Sequence, residues 1–212
     1  MKTIYLVRHG ESVINVSDTF VDDASPPLTE RGREQSRFLA KRAKNLTFDV
    51  IISSPFVRTK ETAAMIAAET GHSIDYCDLF VERTLPASLI GKVKSDPEAK
   101  TLADRAFRSS EKDTEKVAGT ETFSELKTRA GKALAFLEGR PEETILVTGH
   151  GFFTRMLIAR VIYGEEVTPK EFAPLVRGIM TVNTGISVLK YDPENKERTW
   201  WMLVWNDHAH LG

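Results

Sequence analysis

Three short stretches of the sequence place basic or imidazole side chains next to small residues, each directly after an apolar run. They are Arg8-His9-Gly10, Ser53-Ser54 followed by Arg58, and Gly149-His150-Gly151. Two arginines and two imidazoles brought to one point would repel each other unless an anion lay between them. Guanidinium groups match the geometry of phosphate oxygens, and the helix starts that follow would add backbone N–H donors. The residue types therefore predict a phosphate-binding site, provided that the fold brings the three stretches together.

The apolar runs before these stretches are typical of buried strands. They cover residues 3–7, 50–53 and 144–148, and a further short strand is expected within 72–82. In a parallel sheet the carboxyl ends of the strands meet at one edge, where open α/β folds bind ligands. A sheet of this kind would bring Arg8, His9, Arg58 and His150 into one pocket.

Amphipathic segments alternate with these strands. Helices are expected over 30–44, 57–69, 120–137 and 152–163, and a short helix should begin at the capping box of 168–171. Two final strands over 185–191 and 199–205 are separated by a short polar turn and should be antiparallel. The pattern predicts an α/β fold, a three-layer α/β/α sandwich with a mostly parallel central sheet and an antiparallel edge strand.

The length and charge of the chain limit its organisation and its partners. With 212 residues, 41% of them hydrophobic, one domain over 1–212 is expected. Residues 84–119 carry seven basic against six acidic side chains, which predicts a solvated, helical insertion that covers the site. The net charge of −1 argues against nucleic-acid or membrane-surface binding.

Other features favour a cytoplasmic protein without a metal. No apolar run reaches transmembrane length, and Met1-Lys2 leads directly into the first strand, which leaves no room for a signal peptide. The single cysteine, Cys77, excludes an internal disulfide and a thiolate metal cage, and it is expected to be buried in a strand. His208 and His210 have no partner cluster, so neither a metal nor a cofactor is expected.

The same residues carry a resemblance to a known family. The motifs are Arg8-His9-Gly10-Glu11-Ser12 with Asn15, Leu28-Thr29, Ser53-Ser54-Pro55 with Arg58 and Thr62-Ala63, Gly149-His150-Gly151, and Asn206-Asp207 with His210-Leu211. In this order they resemble the histidine phosphatase superfamily, which contains cofactor-dependent phosphoglycerate mutase and many phosphatases. The resemblance implies an α/β/α fold and a His9 nucleophile that forms a phosphohistidine. It implies that Arg8, Arg58 and His150 grip the phosphoryl group, that Asn15 is a further phosphate contact, and that Glu82 is the proton donor.

This chemistry is reasonable without the family. Phosphoryl transfer spreads charge over three oxygens, so fixed cations and donors do most of the work. A neutral imidazole is a good nucleophile, and a leaving alkoxide needs a proton from a carboxylic acid. Glu82 is the best candidate acid, although it could instead be a surface residue paired with Arg83. Glu11 and Glu121 are weaker candidates.

The leading hypothesis is a phosphatase that hydrolyses phosphate monoesters of small molecules through phosphohistidine on His9. The alternative is a cofactor-dependent phosphoglycerate mutase. Two features argue against it: residues 84–91 depart from the Tyr-Gly-x-Leu-x-Gly that mutases usually carry after Glu82-Arg83, and the chain ends soon after Trp205. A third reading is a weakly active relative that binds phospholigands or proteins. The final strand, with its tryptophans, could also pair with a second copy as a homodimer.

Overall fold

A six-stranded sheet forms the centre of the molecule, for which the computed structural model describes residues 1–113 and 115–212. The strand order is β3-β2-β4-β1-β5-β6. The strands are β1 (Lys2–Arg8), β2 (Val50–Ser53), β3 (Ile74–Tyr76), β4 (Thr144–Gly149), β5 (Ile186–Tyr191) and β6 (Trp200–Asp207). Because β1, β2 and β4 are neighbours inside the sheet, the residues that follow them emerge side by side.

The strand directions confirm the predicted, mostly parallel sheet. β1 runs parallel to β4, and β2 runs parallel to both β3 and β4. β5 runs antiparallel to β1 on one side and to β6 on the other. The reversed strand of the antiparallel edge pair is therefore β5, and β6 lies outside it. The connection between them is too short for a crossover, so a hairpin is the only arrangement it allows.

Seven helices are described around this sheet. They are α1 (Val13–Val16), α2 (Glu30–Ala43), α3 (Val57–Thr70), α4 (Pro97–Lys112), α5 (Phe123–Gly139), α6 (Gly151–Tyr163) and α7 (Pro169–Gly178). Single 3₁₀ turns occur at Asp78–Phe80, Ala87–Leu89 and Ala209–Leu211.

Helices cover both faces of the sheet, as the prediction of three layers requires. Successive side chains of a strand point to opposite faces, so Ile4 and Leu6 pack under α5 and α6 while Val7 packs under α2 and α3. Ile4 is fully buried, and Leu6 and Val7 are nearly so. This alternation gives two apolar cores, one on each face, and leaves the carboxyl edge of the sheet for polar residues.

The helices begin where the sequence places their capping residues. The Thr29 hydroxyl accepts a hydrogen bond from Gly32 N at 3.0 Å at the start of α2. Thr122 forms a capping box at the start of α5, three residues after the predicted helix start. Thr168 and Glu171 form the predicted capping box of α7, with Pro169 in its first turn.

The charged segment 84–119 contains α4, which is capped by Asp96. Backbone hydrogen bonds join the start of this segment to the loop after α1: Phe20 N donates to Lys92 O at 2.9 Å, and Gly91 N donates to Phe20 O at 2.7 Å. On its other side, α4 is held to α7 by Arg177, which donates two hydrogen bonds of 2.8 Å to the fully buried Glu111. The segment is thus attached at both sides of the carboxyl edge.

Two details of the sequence predictions can be checked here. Within the part of the chain that the structure describes, none of the helices combines the length and the apolar character that crossing a membrane requires. Cys77 is not inside a strand, because β3 ends at Tyr76, and its thiol is only partly buried. Burial still raises the pKa of that thiol.

Candidate active site

The carboxyl ends of β1, β2 and β4 form one edge, and the predicted site residues lie along it. Arg8 is in register with Gly149, and Ser53 is in register with Thr148. His150 caps the start of α6 directly after β4. Register between parallel neighbours therefore brings together residues that are far apart in the sequence.

Arg58 connects the two histidines. It lies in the first turn of α3, and its Nε donates to His9 Nε2 at 3.2 Å while its Nη2 donates to His150 Nδ1 at 3.1 Å. The imidazole centroids are 5.3 Å apart. All three side chains are at least 97% buried, because their exposed fractions are 3% for His9 and 1% for Arg58 and His150. A cation in the first turn opposes the helix dipole, so the site holds positive charge at an energetic cost that a bound anion would offset.

The hydrogen bonds define the proton positions on both rings. His9 Nδ1 lies 2.6 Å from the carbonyl oxygen of Gly10, which can only accept, so Nδ1 carries the proton and Nε2 carries the lone pair. His150 Nδ1 accepts from Arg58, so its Nε2 carries the proton and donates to Ser54 Oγ at 2.8 Å. His9 therefore directs the lone pair of its Nε2 toward Arg58.

Burial keeps both imidazoles neutral. The pKa of His9 lies well below 6.5, first because burial disfavours the charged form and then because of the positive charges of Arg58 and Arg8. The pKa of His150 is lowered well below 6.5 by burial and by Arg58 in the same way. Both rings thus carry one proton and no charge at neutral pH, as attack by an imidazole nitrogen requires.

Arg8 approaches the same point from β1. Its Nη1 donates to the carbonyl oxygen of Thr181, and its buried Nε has no hydrogen-bond partner among the described residues. Gly151 allows this close packing, since a Cβ there would lie 2.6 Å from Thr181 Oγ1 and 3.4 Å from Arg8 Nε. An unpaired guanidinium N–H is costly to bury and fits a site that receives an acceptor from a ligand.

Asn15 lies at the rim of the same cavity. It is exposed, and its Oδ1 accepts hydrogen bonds from Ser12 N at 3.0 Å and from Ser12 Oγ at 3.1 Å. These contacts use the amide oxygen and orient the Nδ2 donors away from Ser12.

Glu82 is not paired with Arg83 but with the start of α6. Phe152 N donates to one carboxylate oxygen and Phe153 N to the other, both at 2.9 Å, and Arg83 N adds a bond of 3.1 Å. The Arg83 guanidinium instead stacks on the rings of Phe107 and Phe152, with its carbon 5.3 Å and 4.8 Å from their centroids. Backbone N–H groups therefore donate to both carboxylate oxygens of Glu82, and the residue lines the cavity.

The other two candidate acids lie elsewhere. Glu11 accepts from Thr29 Oγ1 at 2.8 Å, and Glu121 accepts from Arg129 at 2.7 Å through both of its oxygens. Neither residue lines the cavity. Arg129 also donates to the carbonyl oxygens of Leu79 and Val81, which fixes the chain just before Glu82.

These side chains surround a cavity of about 330 Å³. Its lining consists of Arg8, His9, Ile14, Asn15, Asp23, Arg58, Glu82, Arg83, Leu85, Phe107, Gly151, Phe152, Arg155 and Thr181. Four arginines against two carboxylates give the lining a charge of about +2 when His9 is neutral, which matches a phosphate dianion.

Sequence reasoning missed four of the polar lining residues, which are Asp23, Arg83, Arg155 and Thr181. Asp23 is hidden in a polar turn, and its contacts are to residues more than thirty positions away. Arg155 could have been proposed as a site residue from the sequence, because it is a charged residue five positions after His150 in a mostly buried helix. Thr181 follows the last helix in a loop without any pattern.

Comparisons with known proteins agree with this geometry. The family model described as the histidine phosphatase superfamily (branch 1) matches residues 4–208. The chain is 30% identical over 167 residues to a protein from Enterobacter sp. (strain 638) called probable phosphoglycerate mutase GpmB, covering 76% of this chain and 75% of that protein. It is 26% identical over 212 residues to the Bacillus subtilis (strain 168) protein called uncharacterized phosphatase PhoE, covering 100% of this chain and 97% of the relative.

The fold is also similar to solved structures. Bacillus stearothermophilus YhfR superposes on the chain with a TM-score of 0.82 at 24% identity, and the match covers 100% of both chains. At this level of identity the similarity concerns the fold, and the site is described by the contacts above.

Proposed function

This chain belongs to branch 1 of the histidine phosphatase superfamily, and on that premise we propose that it is a phosphatase that hydrolyses phosphate monoesters through a phosphohistidine on His9. The observation that carries the proposal is the pairing of a buried, neutral His9 with Arg58. His9 presents the Nε2 lone pair toward Arg58, and the donor facing that lone pair is a cation that binds phosphoryl oxygens well.

In the first step, the His9 Nε2 lone pair attacks phosphorus, the P–O bond to the alcohol breaks, and the leaving oxygen takes up the proton of the Glu82 carboxylic acid, which becomes a carboxylate. A phosphoryl oxygen would accept the Arg58 Nε hydrogen bond and so free the lone pair. Arg8 Nε, which has no partner among the described residues, would donate to a second oxygen. His150 and Asn15 complete the proposed set of phosphate contacts, and the charge that develops on the oxygens is stabilised by groups already in place.

In the second step, water attacks phosphorus, loses a proton to a carboxylate, and displaces the His9 nitrogen. Glu82 is proposed to take part in these proton transfers, since its carboxylate lines the cavity and is held in place by three backbone N–H groups. The cavity of about 330 Å³ suits a phosphate ester of a small molecule.

Phosphoglycerate mutase is the second candidate function, because of the similarity to GpmB. A mutase must protect phosphohistidine from water and pass the group to a second hydroxyl. The chain departs from the mutase pattern directly after Glu82-Arg83, and Leu85 within the departing stretch lines the cavity.

A panel of phosphate esters, assayed with EDTA present and beside a mutase assay, tests the proposal. We expect phosphate release from several esters, no mutase turnover, and an acid-labile, base-stable phosphoprotein that is absent in His9→Ala. Mutase turnover without phosphate release would favour the second candidate. Loss of activity in EDTA would contradict a mechanism that uses only arginine and histidine, and a His9→Ala protein with full biological activity would point to a binding role.

A further inference from the structure

A backbone carbonyl directs the Arg8 guanidinium in the cavity. The only hydrogen bond that this guanidinium makes to residues 1–113 and 115–212 runs from Nη1 to the carbonyl oxygen of Thr181, and its buried Nε has no partner in these ranges. The guanidinium is a planar group with its N–H donors in a fixed fork, so an acceptor at one nitrogen decides where the other donors point. The position of the Thr181 carbonyl therefore matters for any anion that Arg8 binds.

Thr181 lies in the loop of residues 179–185, which joins α7 to β5 without a helix or strand. A planar trans peptide group links Thr181 to Val182, so the Thr181 C=O and the Val182 N–H point in opposite directions and cannot turn independently. The Val182 N–H donates to Asn206 Oδ1 at 2.8 Å. One rigid peptide group is thus held by Asn206 on one side and contacts Arg8 on the other.

Asn206 reaches this peptide group from the end of β6. Its φ of +49° lies in the left-handed region, which asparagine tolerates better than most residues, and its N donates to Ser187 Oγ at 3.0 Å. A Cβ at Gly185 would lie 2.2 Å from Asn206 Oδ1, so a glycine is needed there to leave room for the asparagine side chain. Backbone conformation and neighbouring residues therefore both direct the amide oxygen toward Val182.

Other contacts attach the rest of this loop to the site. Thr184 N donates to Arg8 O at 2.9 Å, and Asn183 Nδ2 donates to the carbonyl oxygen of His9 at 2.9 Å. Neither contact involves the side chain of Asn206. Loss of that side chain would therefore free one peptide group to rotate while the loop stays attached to the end of β1.

We infer that Asn206 is a positioning residue: by holding the peptide group between Thr181 and Val182, it sets the direction of the Arg8 guanidinium. This role rests on the proposed function, in which Arg8 donates to a phosphoryl oxygen. Donors that are aligned before the substrate arrives need no rearrangement as charge develops on the phosphoryl oxygens. Asn206 itself does not line the cavity, so it acts only through Arg8.

Two substitutions separate the amide oxygen of Asn206 from its backbone conformation. Asn206→Gly accepts the positive φ but offers no acceptor to Val182 N, whereas Asn206→Asp keeps a side-chain oxygen and also tolerates the left-handed region. The matched control is Asn195→Gly. The Oδ1 of Asn195 accepts from Glu197 N and Arg198 N, both at 3.2 Å, in the turn between β5 and β6, and the residue does not line the cavity.

The experiment measures kcat/KM on para-nitrophenyl phosphate and, by calorimetry, the Kd of inorganic phosphate. For Asn206→Gly we expect kcat/KM to fall about tenfold or more and phosphate to bind correspondingly more weakly, because Arg8 loses its alignment. Asn206→Asp should stay within about threefold of the wild type, since the acceptor is retained. Asn195→Gly should stay within about twofold.

A double-mutant cycle with Arg8→Ala distinguishes positioning from a general loss of structure. If Asn206 acts through Arg8, Asn206→Gly should change kcat/KM by less than about twofold in the Arg8→Ala background. Its effect on the free energy of unfolding should be equal in both backgrounds. A merely structural residue would lower kcat/KM by the same factor with and without the arginine.

Three results would overturn the inference. The first is an equal loss of kcat/KM from Asn206→Gly in both backgrounds, and the second is an Asn206→Gly protein with wild-type kcat/KM and phosphate affinity. The third is an Asn206→Asp protein as impaired as Asn206→Gly. The proposed function fails separately, if the wild-type protein binds phosphate but forms no phosphoenzyme, and the cycle is then read from the Kd of phosphate alone.

Discussion

Arg58 Nε donates to His9 Nε2 over 3.2 Å, so the cation of the site lies directly on the nitrogen proposed to attack phosphorus. The arrangement is stable only while His9 is neutral, since an imidazolium would place a second positive charge and a second donor at the same contact. A phosphoryl oxygen entering here would accept the Arg58 hydrogen bond and expose the lone pair. In the proposed mechanism the same guanidinium would therefore first bind the His9 nitrogen and then the phosphoryl group.

Arg58→Lys is expected to lower kcat/KM by about 100-fold, because a lysine keeps the charge but cannot bond both histidines and a phosphate at once. Steady-state kinetics on an aryl phosphate measures the loss, and inorganic phosphate should inhibit the variant more weakly. Arg37→Lys serves as the control, since Arg37 is exposed and pairs with Glu30. Equal inhibition of Arg58→Lys and wild type by phosphate would show that Arg58 does not contact the phosphoryl group.

The two buried histidines should make the protein less stable in mild acid. Their folded pKa values lie well below 6.5, so below about pH 6.5 the unfolded chain binds protons that the folded chain does not. The free energy of unfolding then falls as pH decreases, by up to about 1.4 kcal/mol per pH unit for each histidine. Urea unfolding at a series of pH values from neutral to mildly acidic measures this slope.

The control for that slope is His150→Gln, which removes one titrating group and keeps a polar side chain beside Ser54. We expect a shallower dependence of the unfolding free energy on pH than in the wild type. A slope that is the same in His150→Gln and wild type would contradict a neutral His150 in the folded protein.

Gly32→Ala is expected to destabilise the protein, although alanine normally favours a helix over glycine. A Cβ at Gly32 would lie 1.8 Å from the carbonyl oxygen of Glu11, so the loop after His9 would have to move. Overpacking of this kind costs about 1–3 kcal/mol, and urea unfolding measures it. Gly139→Ala is the matched control, because nothing lies within 4 Å of its Cβ position. We expect that variant to be as stable as the wild type or up to about 1 kcal/mol more stable.

His210→Ala should weaken the support of the nucleophile loop. His210 Nε2 lies 3.0 Å from Thr184 Oγ1, and Thr184 N donates to Arg8 O at 2.9 Å. Burial and Arg42 lower the pKa of His210 to about 4, so the neutral ring makes this contact at physiological pH. Loss of the hydrogen bond should cost about 1 kcal/mol of unfolding free energy.

The kinetic readout separates positioning from binding for this variant. We expect kcat to fall while KM changes little, since His210 does not line the cavity. A rise in KM with unchanged kcat would instead assign His210 to substrate binding.

The strands and helices that position His9, Arg58 and His150 could be predicted from the sequence alone. A histidine after each of two apolar runs, and an arginine in the first turn of the helix after a third, predict a shared edge because parallel strands align their carboxyl ends. The same reasoning could not reach Asp23, whose position depends on a hydrogen bond to Leu85, sixty-two residues later. Nor could it explain Gly32. A glycine in the first turn of a helix is mildly unfavourable, and only the structure shows that the carbonyl oxygen of Glu11 leaves no room for a Cβ there.

Local patterns also failed where the chain direction or the strand end depends on distant partners. Cys77 follows the short stretch Ile74-Asp75-Tyr76, and β3 ends at Tyr76, the last residue paired with β2. The hairpin of β5 and β6 was readable from its short turn, but the pairing of β5 with β1 is a tertiary contact that no local signal encodes.

Of the described residues of segment 84–119, only Leu85 and Phe107 line the cavity, whereas the other lining residues belong to other parts of the fold. The alcohol portion of a bound ester would therefore contact side chains of segment 84–119, while the residues proposed to bind the phosphoryl group lie outside it. Substitutions in this segment could change which ester is accepted without altering the residues proposed to bind the phosphoryl group. Libraries for altered selectivity should accordingly concentrate on α4 and the turn before it.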